Sequence, residues 1–222
     1  VYETALDELQ TAYNALNLAK NLKELPVTLT TDKNNPVLYK IRINRGSTKL
    51  LQYDTETAMV AVADEDLGNE YQAWYFMQGT DGNGYDDVLI YPYWGTDAAN
   101  TTLRLGSNSI TDGNSKVSAV DGTDDTYKQN WYITFTEGTT AEGWLNIQPE
   151  GKATYFSNHG GAAEKMGFLN NAGDDGSEFQ FVLDETDYSL SDAYYALLKQ
   201  YNAYGDVEAG TAIGTYTQAS VD

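Results

Sequence analysis

The 222-residue chain has no cysteine, one histidine and only 13 basic residues, and each shortage removes a class of chemistry. Without cysteine there is no disulfide, no thiol nucleophile and no zinc site of the cysteine-rich type. With one histidine and no cysteine, no Ser-His-Asp or Cys-His set can be singled out. No apolar run approaches the ~20 residues that are needed to span a bilayer. We therefore predict no enzymatic activity, no cofactor and no membrane insertion.

The basic residues are outnumbered by 33 acidic ones, which gives a formal net charge of −20. Such a surface repels the phosphate backbone of nucleic acids and anionic membrane surfaces. We therefore expect no nucleic-acid partner, and any partner should be neutral or cationic. The excess of acids also makes chance carboxylate pairs inevitable, so their number is no evidence for the two-carboxylate chemistry of a glycoside hydrolase.

Helical periodicity is confined to the two ends of the chain. Apolar residues recur at three- and four-residue spacing over residues 2–24, which predicts a helix that ends before Pro26. The same spacing returns over residues 189–205. Neither helix is long enough to be stable alone in water, so we predict that they pack as a pair. Residues 28–36 are polar and turn-rich, which indicates a linker.

Between these ends the period of the apolar residues falls to two, the period of half-buried strands. Twelve strands are predicted in three groups of four: 37–44, 50–53, 58–63 and 73–77; 88–93, 101–105, 116–120 and 131–135; 144–148, 153–156, 165–169 and 179–183. The 20 glycines and 4 prolines fit many tight turns between short strands.

A repeated phrase begins the last strand of each group. The three copies are Gln72-Ala73-Trp74, Gln129-Asn130-Trp131 and Ser177-Glu178-Phe179. Their aromatic residues lie 57 (131 − 74) and 48 (179 − 131) positions apart. A self-similar unit of this length cannot close a core alone, so its copies must complete the core. We therefore predict a closed β structure with three-fold pseudosymmetry.

The opening strand at residues 38–44 and the Gln-x-Trp phrases resemble the β-trefoil of the ricin-B lectin type. The resemblance covers residues 37–186 and implies a mostly β fold of three pseudo-repeats. It also implies that Trp74, Trp131 and Phe179 fill the bottom of a barrel, while the glutamines satisfy nearby backbone groups. These positions are evidence for the fold and not for ligand contact.

The same resemblance implies up to three sugar pockets, each with an early Asp, an aromatic residue and an Asn before the Gln-x-Trp phrase. Such a pocket stacks an aromatic ring on sugar C–H groups and directs planar polar groups at adjacent hydroxyls. The first unit offers no aromatic residue at the expected place. The predicted sugar-binding residues are Tyr155, Asn158, His159, Asn171 and Asp174 in the third unit, and Tyr93, Trp94 and Asp97 in the second. The alternatives are an ordinary surface turn at His159 and, at Tyr93 and Trp94, a hydrophobic cover over the barrel or a contact with the terminal helices.

Two loops rich in Asp, Asn and Gly, at residues 81–87 and 121–125, contain oxygen atoms that could bind calcium. Neither loop matches the Asp-x-Asn-x-Asp-Gly pattern that ends in Glu. We therefore predict solvated turns and no metal site at these positions.

The helical ends resemble the small α-helical modules that follow one another in large surface proteins of Bacteroidetes, and residues 210–216 resemble their linkers. This implies three parts: an N-terminal helix (1–27), a β-trefoil (37–186), and a C-terminal helix with the start of a linker (188–222). We expect a non-catalytic, lectin-like module of a secreted or cell-surface protein, covalently linked to neighbouring domains and binding neutral oligo- or polysaccharides. The alternative is a structural or protein-interaction module that has kept the fold without a functional pocket.

Overall fold

The computed structural model describes residues 27–45, 49–79, 87–93, 102–113, 117–134, 144–151, 153–158, 166–190 and 192–204. The chain separates into two compact bodies, a larger one of residues 1–65 and 70–185 and a smaller one of residues 66–69 and 186–222. The described residues contain one α-helix, so the predicted pair of helices gains no support. The first helix of that pair, predicted over residues 2–24, lies outside the described residues.

The larger body is built from short strands, and every strand that the sequence predicts is present. The strands are β1 (Tyr39–Ile43), β2 (Lys49–Asp54), β3 (Met59–Asp64), β4 (Ala73–Gln78), β5 (Val88–Pro92), β6 (Leu103–Gly106), β7 (Ser118–Asp121), β8 (Trp131–Thr134), β9 (Asn146–Pro149), β10 (Tyr155–Ser157), β11 (Gly167–Leu169) and β12 (Phe179–Leu183). Single 3-10 turns, Glu70–Gln72 and Asp175–Ser177, precede β4 and β12.

Six of these strands form a closed ring of antiparallel pairs. The order is β1, β4, β5, β8, β9 and β12, and β12 pairs again with β1. The contact between β9 and β12 is made by Leu145 and Phe179, whose backbone groups exchange hydrogen bonds of 2.9 and 2.8 Å. A ring of this kind replaces the exposed edges of a flat sheet with paired strands.

The other six strands form three hairpins, β2–β3, β6–β7 and β10–β11, which meet at three buried residues. Val60 N donates to Val117 O at 2.9 Å, and Met166 N donates to Val60 O at 3.2 Å. These residues lie 57 (117 − 60) and 49 (166 − 117) positions apart, nearly the spacing of the aromatic residues in the repeated phrase. The hairpins therefore converge on a pseudo-three-fold axis, as the predicted β-trefoil requires.

The aromatic residues of the repeated phrase occupy equivalent buried places. Trp74, Trp131 and Phe179 are each 0% exposed and belong to one hydrophobic core. The indole Nε1 of Trp74 donates to Leu51 O, and that of Trp131 donates to Leu105 O, both at 3.0 Å. Each indole therefore fills the core and also satisfies a carbonyl of the neighbouring hairpin, which fixes the hairpin on the barrel.

Residues 27–37 belong to the fold and are not a free linker. Val27 is 4% exposed and lies in the core, and Leu29 packs against it. Thr30 N donates to Phe76 O on β4 at 2.7 Å. The polar composition of this stretch conceals two apolar contacts, too few to form a sequence pattern.

A smaller cluster covers the outer face of β4 and β5, where residues alternate with those that point into the core. Tyr75 and Tyr91 stack with ring centroids 4.9 Å apart at 10°, and both are 5% exposed. Leu89 completes the buried part of the cluster. Lys33 Nζ lies 4.4 Å from the centroid of the Tyr91 ring, a cation–π contact.

Because of this cluster, we predict that the folded state loses stability at alkaline pH. Burial, and secondly the charge on Tyr91, raise the pKa of Tyr75 above its ordinary value of about 10. Above pH ~10 the Tyr75 hydroxyl therefore keeps its proton in the folded state and loses it in the unfolded chain. The contribution of Tyr75 to the free energy of unfolding is intact below pH ~10 and falls above that pH by up to about 1.4 kcal/mol per pH unit. Denaturant unfolding between pH 8 and 11 should show a shallower decline for Tyr75→Phe than for the wild type. Identical slopes would contradict the prediction.

The smaller body contains the α-helix α1, Asp192–Tyr204. The Tyr195 hydroxyl donates to the backbone oxygen of Asp187, and Lys199 forms an ion pair with Asp66. The opposite side is apolar and exposed, with Leu197 at 66% and Tyr201 at 74% exposure. Within the part of the chain that the structure describes, no helix has the length and apolar character of a membrane span.

Candidate functional site

Five of the eight predicted sugar-binding residues lie in the described part of the structure. Trp94, Asp97 and His159 lie outside it. The described ones are Tyr155, Asn158, Asn171, Asp174 and Tyr93, and the structure places them in different environments.

Arg45 organises the site in the third unit, at the point where the first unit meets it. Its guanidinium Nε donates to Asp175 Oδ1 at 2.7 Å, Nη2 donates to Asp174 Oδ1 at 2.7 Å, and Nη1 donates to Asn158 O at 2.5 Å. We call these four residues the Arg45 cluster. The predicted sugar-binding residues include Asp174 and Asn158 but not Arg45 or Asp175.

The backbone before β12 sets the geometry of the Arg45 cluster. Asp174 is the N-cap of the 3-10 turn, and its carboxylate accepts from Gly176 N at 2.9 Å. A Cβ atom on Gly176 would lie 2.8 Å from Asn158 O and 3.0 Å from Arg45 Nη1, so only glycine fits there without a shift. Arg45 N also donates to Asp175 O at 3.0 Å.

Charge is shared unequally within the Arg45 cluster. Burial is the largest influence on the guanidinium and lowers its pKa, but the hydrogen bond and charge of Asp175 and the charge of Asp174 outweigh it and raise the pKa. Two carboxylates around one guanidinium leave one net negative charge. The Asp175 side chain is 54% exposed and the Asp174 side chain is 23% exposed. Asp174 therefore serves the fold first, and Asp175 presents the more accessible carboxylate.

Asn171 and Tyr155 have different positions relative to the Arg45 cluster. Asn171 is exposed in the turn that leads to Asp174, where its Oδ1 accepts from Gly173 N at 3.1 Å. Its exposed side chain is therefore accessible to a ligand. Tyr155 is half-buried on β10 and is followed by Phe156, which is 0% exposed in the core. Since neighbouring strand residues point to opposite faces, Tyr155 faces away from the core.

Tyr93 directly follows β5, and its contacts are made within the fold. Its backbone N donates to Ala73 O at 2.9 Å, and its ring packs against the cluster of Tyr75, Leu89 and Tyr91. Burial, and secondly the charge of Glu70, raise the pKa of its hydroxyl. This environment corresponds to the hydrophobic cover that the sequence allows as an alternative.

The corresponding loop of the second unit uses its polar groups internally. Gln129 Nε2 donates to Asp124 O at 2.5 Å and to Asp121 O at 3.2 Å. Asp121 Oδ1 accepts from the backbone N and the hydroxyl of Thr123, both at 2.8 Å, and these bonds lower the Asp121 pKa. Its carboxylate is thus engaged by its own turn. Among the described residues no group of three or more His, Cys, Asp or Glu side chains is placed to hold a metal, and residues 81–86 of the other Asp-rich loop lie outside them.

The backbone arrangement is similar to that of solved β-trefoil proteins. The Macrolepiota procera ricin B-like lectin in complex with lactose is 14% identical with a TM-score of 0.51, and the match covers 69% of this chain and 100% of that one. A structure titled BEL beta-trefoil is 16% identical with a TM-score of 0.51, over 71% of this chain and 97% of that one. A GlcNAcα1-4Gal-releasing endo-β-galactosidase from Clostridium perfringens is 15% identical with a TM-score of 0.50, over 67% of this chain and 33% of that one.

These similarities establish a β-trefoil fold and nothing finer, because the identities are low. No protein-family model matches the sequence, and no curated protein matches it significantly. The function must therefore be argued from the site itself.

Proposed function

We propose that the chain is a non-catalytic carbohydrate-binding module of a larger secreted or cell-surface protein, covalently linked to neighbouring domains. The observation that carries the proposal is the Arg45 cluster on a β-trefoil whose backbone is similar to that of a lectin seen with lactose. Within the cluster Arg45 fixes the two carboxylates, and the Asp175 carboxylate is the more exposed. Groups of this kind form paired hydrogen bonds to adjacent sugar hydroxyls.

The ligand class follows from charge. A net charge of −20, together with the excess carboxylate at the Arg45 cluster, disfavours sulfated or uronic-acid sugars and favours neutral oligo- or polysaccharides. The binding residues of the third unit are Tyr155, Asn158, His159, Asn171 and Asp174, with Arg45 and Asp175 added by the structure. Tyr93, Trp94 and Asp97 remain the proposed binding residues of the second unit, although the Tyr93 ring packs against the cluster of Tyr75, Leu89 and Tyr91. Shallow sites of this kind are weak singly, so binding depends on several sites acting on one polymer.

A glycan array tests the proposal with matched variants. The wild type should bind at least one neutral oligosaccharide, and Asn171→Ala and Tyr155→Ala/His159→Ala should each weaken that binding by about tenfold or more. Asn34→Ala, an exposed asparagine outside the cluster, should leave binding unchanged. Thermal melts of each variant show that the fold is intact. If the wild type binds no sugar, or if all variants bind equally, the proposal fails.

A second function is favoured by a specific observation. Asp174 and the Tyr93 ring, both predicted to face sugar, make internal contacts of the fold. A structural or protein-interaction module would use a β-trefoil in this way. If the wild type binds no glycan on the array, the result favours this second function. The similarity to an endo-β-galactosidase covers one third of that chain, so hydrolysis is tested separately by assaying the release of reducing sugar.

A further inference from the structure

Three polar atoms in the third unit are buried without a hydrogen-bond partner in the protein. They are Asn146 Oδ1, Ser157 Oγ and Ser177 Oγ, and all three residues are 0% exposed. A buried polar atom without a partner destabilises the folded state, so native proteins pair such atoms with protein groups or with water.

The three residues belong to segments that meet at one junction. Asn146 Nδ2 donates to Ser177 O at 2.8 Å, which ties β9 to the 3-10 turn before β12. Asn158 N donates to Gly176 O at 2.9 Å, which ties the residue after Ser157 to the residue before Ser177. The two serines and the asparagine therefore lie around the same small region.

The first unit shows what fills the same place in a pseudo-symmetric copy. Gln52 corresponds to Ser157 and Gln72 to Ser177, since each pair is 105 residues apart (157 − 52 and 177 − 72), the offset of the two closing aromatic residues (179 − 74). There, Gln72 Nε2 donates to Gln52 Oε1 at 3.0 Å and to Asp64 O at 2.7 Å. Two long amide side chains thus fill the region and satisfy each other.

The second unit fills the region with a valine and a glutamine. Gly106 stands where the first unit has Gln52, since Leu51 O and Leu105 O accept equivalent indole hydrogen bonds one residue earlier. A Cβ atom on Gly106 would lie 2.5 Å from Val120 Cγ2 and 3.2 Å from Gln129 Cγ, so these two side chains occupy that space. Only the third unit has two short side chains at these positions.

We propose that the third unit contains a hydration site, with at least one ordered water bound between Asn146, Ser157 and Ser177. The region contains three unpartnered polar atoms, and its two serines are shorter than the glutamines at the equivalent positions of the first unit. An amide oxygen only accepts, whereas a hydroxyl donates or accepts, and water does both. One water that donates to Asn146 Oδ1 and to one serine, while accepting from the other serine, satisfies all three atoms.

The hydration site supports the backbone that carries the Arg45 cluster. Ser157 directly precedes Asn158, whose carbonyl accepts from Arg45. Ser177 ends the 3-10 turn that is capped by Asp174. Water at this junction therefore takes the place of the glutamine pair that stabilises the first unit.

Thermal melts of Ser157→Ala and Ser177→Ala test the site, because the two possible states predict opposite signs. If water is bound, each variant removes one of its partners and the Tm falls by about 2–5 °C. If the region is dry, each variant removes an unpaired polar atom and the Tm rises, which would overturn the proposal. Ser118→Ala, on the half-buried strand β7, is the control and should shift the Tm by no more than about 1 °C.

A high-resolution crystal structure gives an independent test. Density for water within hydrogen-bond distance of the three oxygen atoms is the expected result, and it should vanish in Ser157→Gln/Ser177→Gln, where the first-unit glutamine pair is restored. An empty region in the wild type, or a peak with the short distances of a metal ion, would overturn the proposal.

Discussion

Replacing Trp131 with alanine is expected to lower the free energy of unfolding by about 3–5 kcal/mol, because it leaves a large cavity in the core. The indole is 0% exposed. Its ring centroid lies 5.5 Å from that of Phe156 and 6.2 Å from that of Phe168. It also donates to Leu105 O at 3.0 Å, and this carbonyl would lose its partner. The loss therefore combines cavity formation with an unsatisfied buried acceptor.

Trp131→Phe separates these two contributions. It retains much of the ring and removes the N–H donor, so a smaller loss of about 1–3 kcal/mol is expected. Denaturant unfolding with an unchanged m value provides the measurement. A loss below about 1 kcal/mol for Trp131→Ala would show that the repeated aromatic does not support the barrel.

Arg45→Met should have the second largest effect, a loss of about 1–3 kcal/mol. The substitution keeps the apolar stem and removes a charge that bridges the β1 end to the turn before β12. It removes the Arg45 hydrogen bonds to the partly buried Asp174 carboxylate, which keeps the one from Gly176 N, and to Asn158 O. The estimate is below the value for a fully buried ion pair because the Arg45 side chain is 30% exposed and solvent weakens the charge terms.

Lys49→Met is the matched control for Arg45→Met. Lys49 pairs with Asp64, whose side chain is 77% exposed, so its removal should cost no more than about 0.5 kcal/mol. A double-mutant cycle with Asp174→Asn should show that the effects of Arg45 and Asp174 are not additive. Equal losses for the two methionine variants would mean that Arg45 is an ordinary surface cation.

This result bears on how binding experiments are interpreted. If Asp174 is coupled to Arg45, weaker sugar binding after a change at Asp174 reports damage to the fold as well as to the site. Asn171 avoids this difficulty, because its side chain is exposed and its hydrogen bond with Gly173 N stays within its own turn. It is therefore the more informative residue for a binding test.

Much of the fold could be predicted because its signals are local and repeated. Alternation in Tyr39, Ile41 and Ile43 identifies β1, and the spacing of the Gln-x-Trp phrases identifies the units. The sequence reasoning was wrong about residues 28–36, where Leu29 packs on the core. It also expected a helix pair, of which the described residues show one helix, α1.

The candidate site was predictable only in part because its contacts are distant along the chain. Arg45 reaches Asp174 across 129 residues and Asp175 across 130. A single arginine in a turn is part of no sequence pattern that would predict Asp174 and Asp175 as its partners. Asp174 was identified from the resemblance, but its role as the cap of a 3-10 turn depends on the backbone around Gly176.

The amino-acid sequence alone determined that this protein has short strands, a pseudo-three-fold repeat and an acidic surface, because periodicity, spacing and charge are properties of neighbouring residues. The tertiary structure alone decided which polar groups are exposed and which are used internally. That choice depends on how the barrel closes, since closure brings Arg45 to the third unit and buries Ser157 and Ser177 beside Asn146. Burial and partner choice arise only when distant segments share one space.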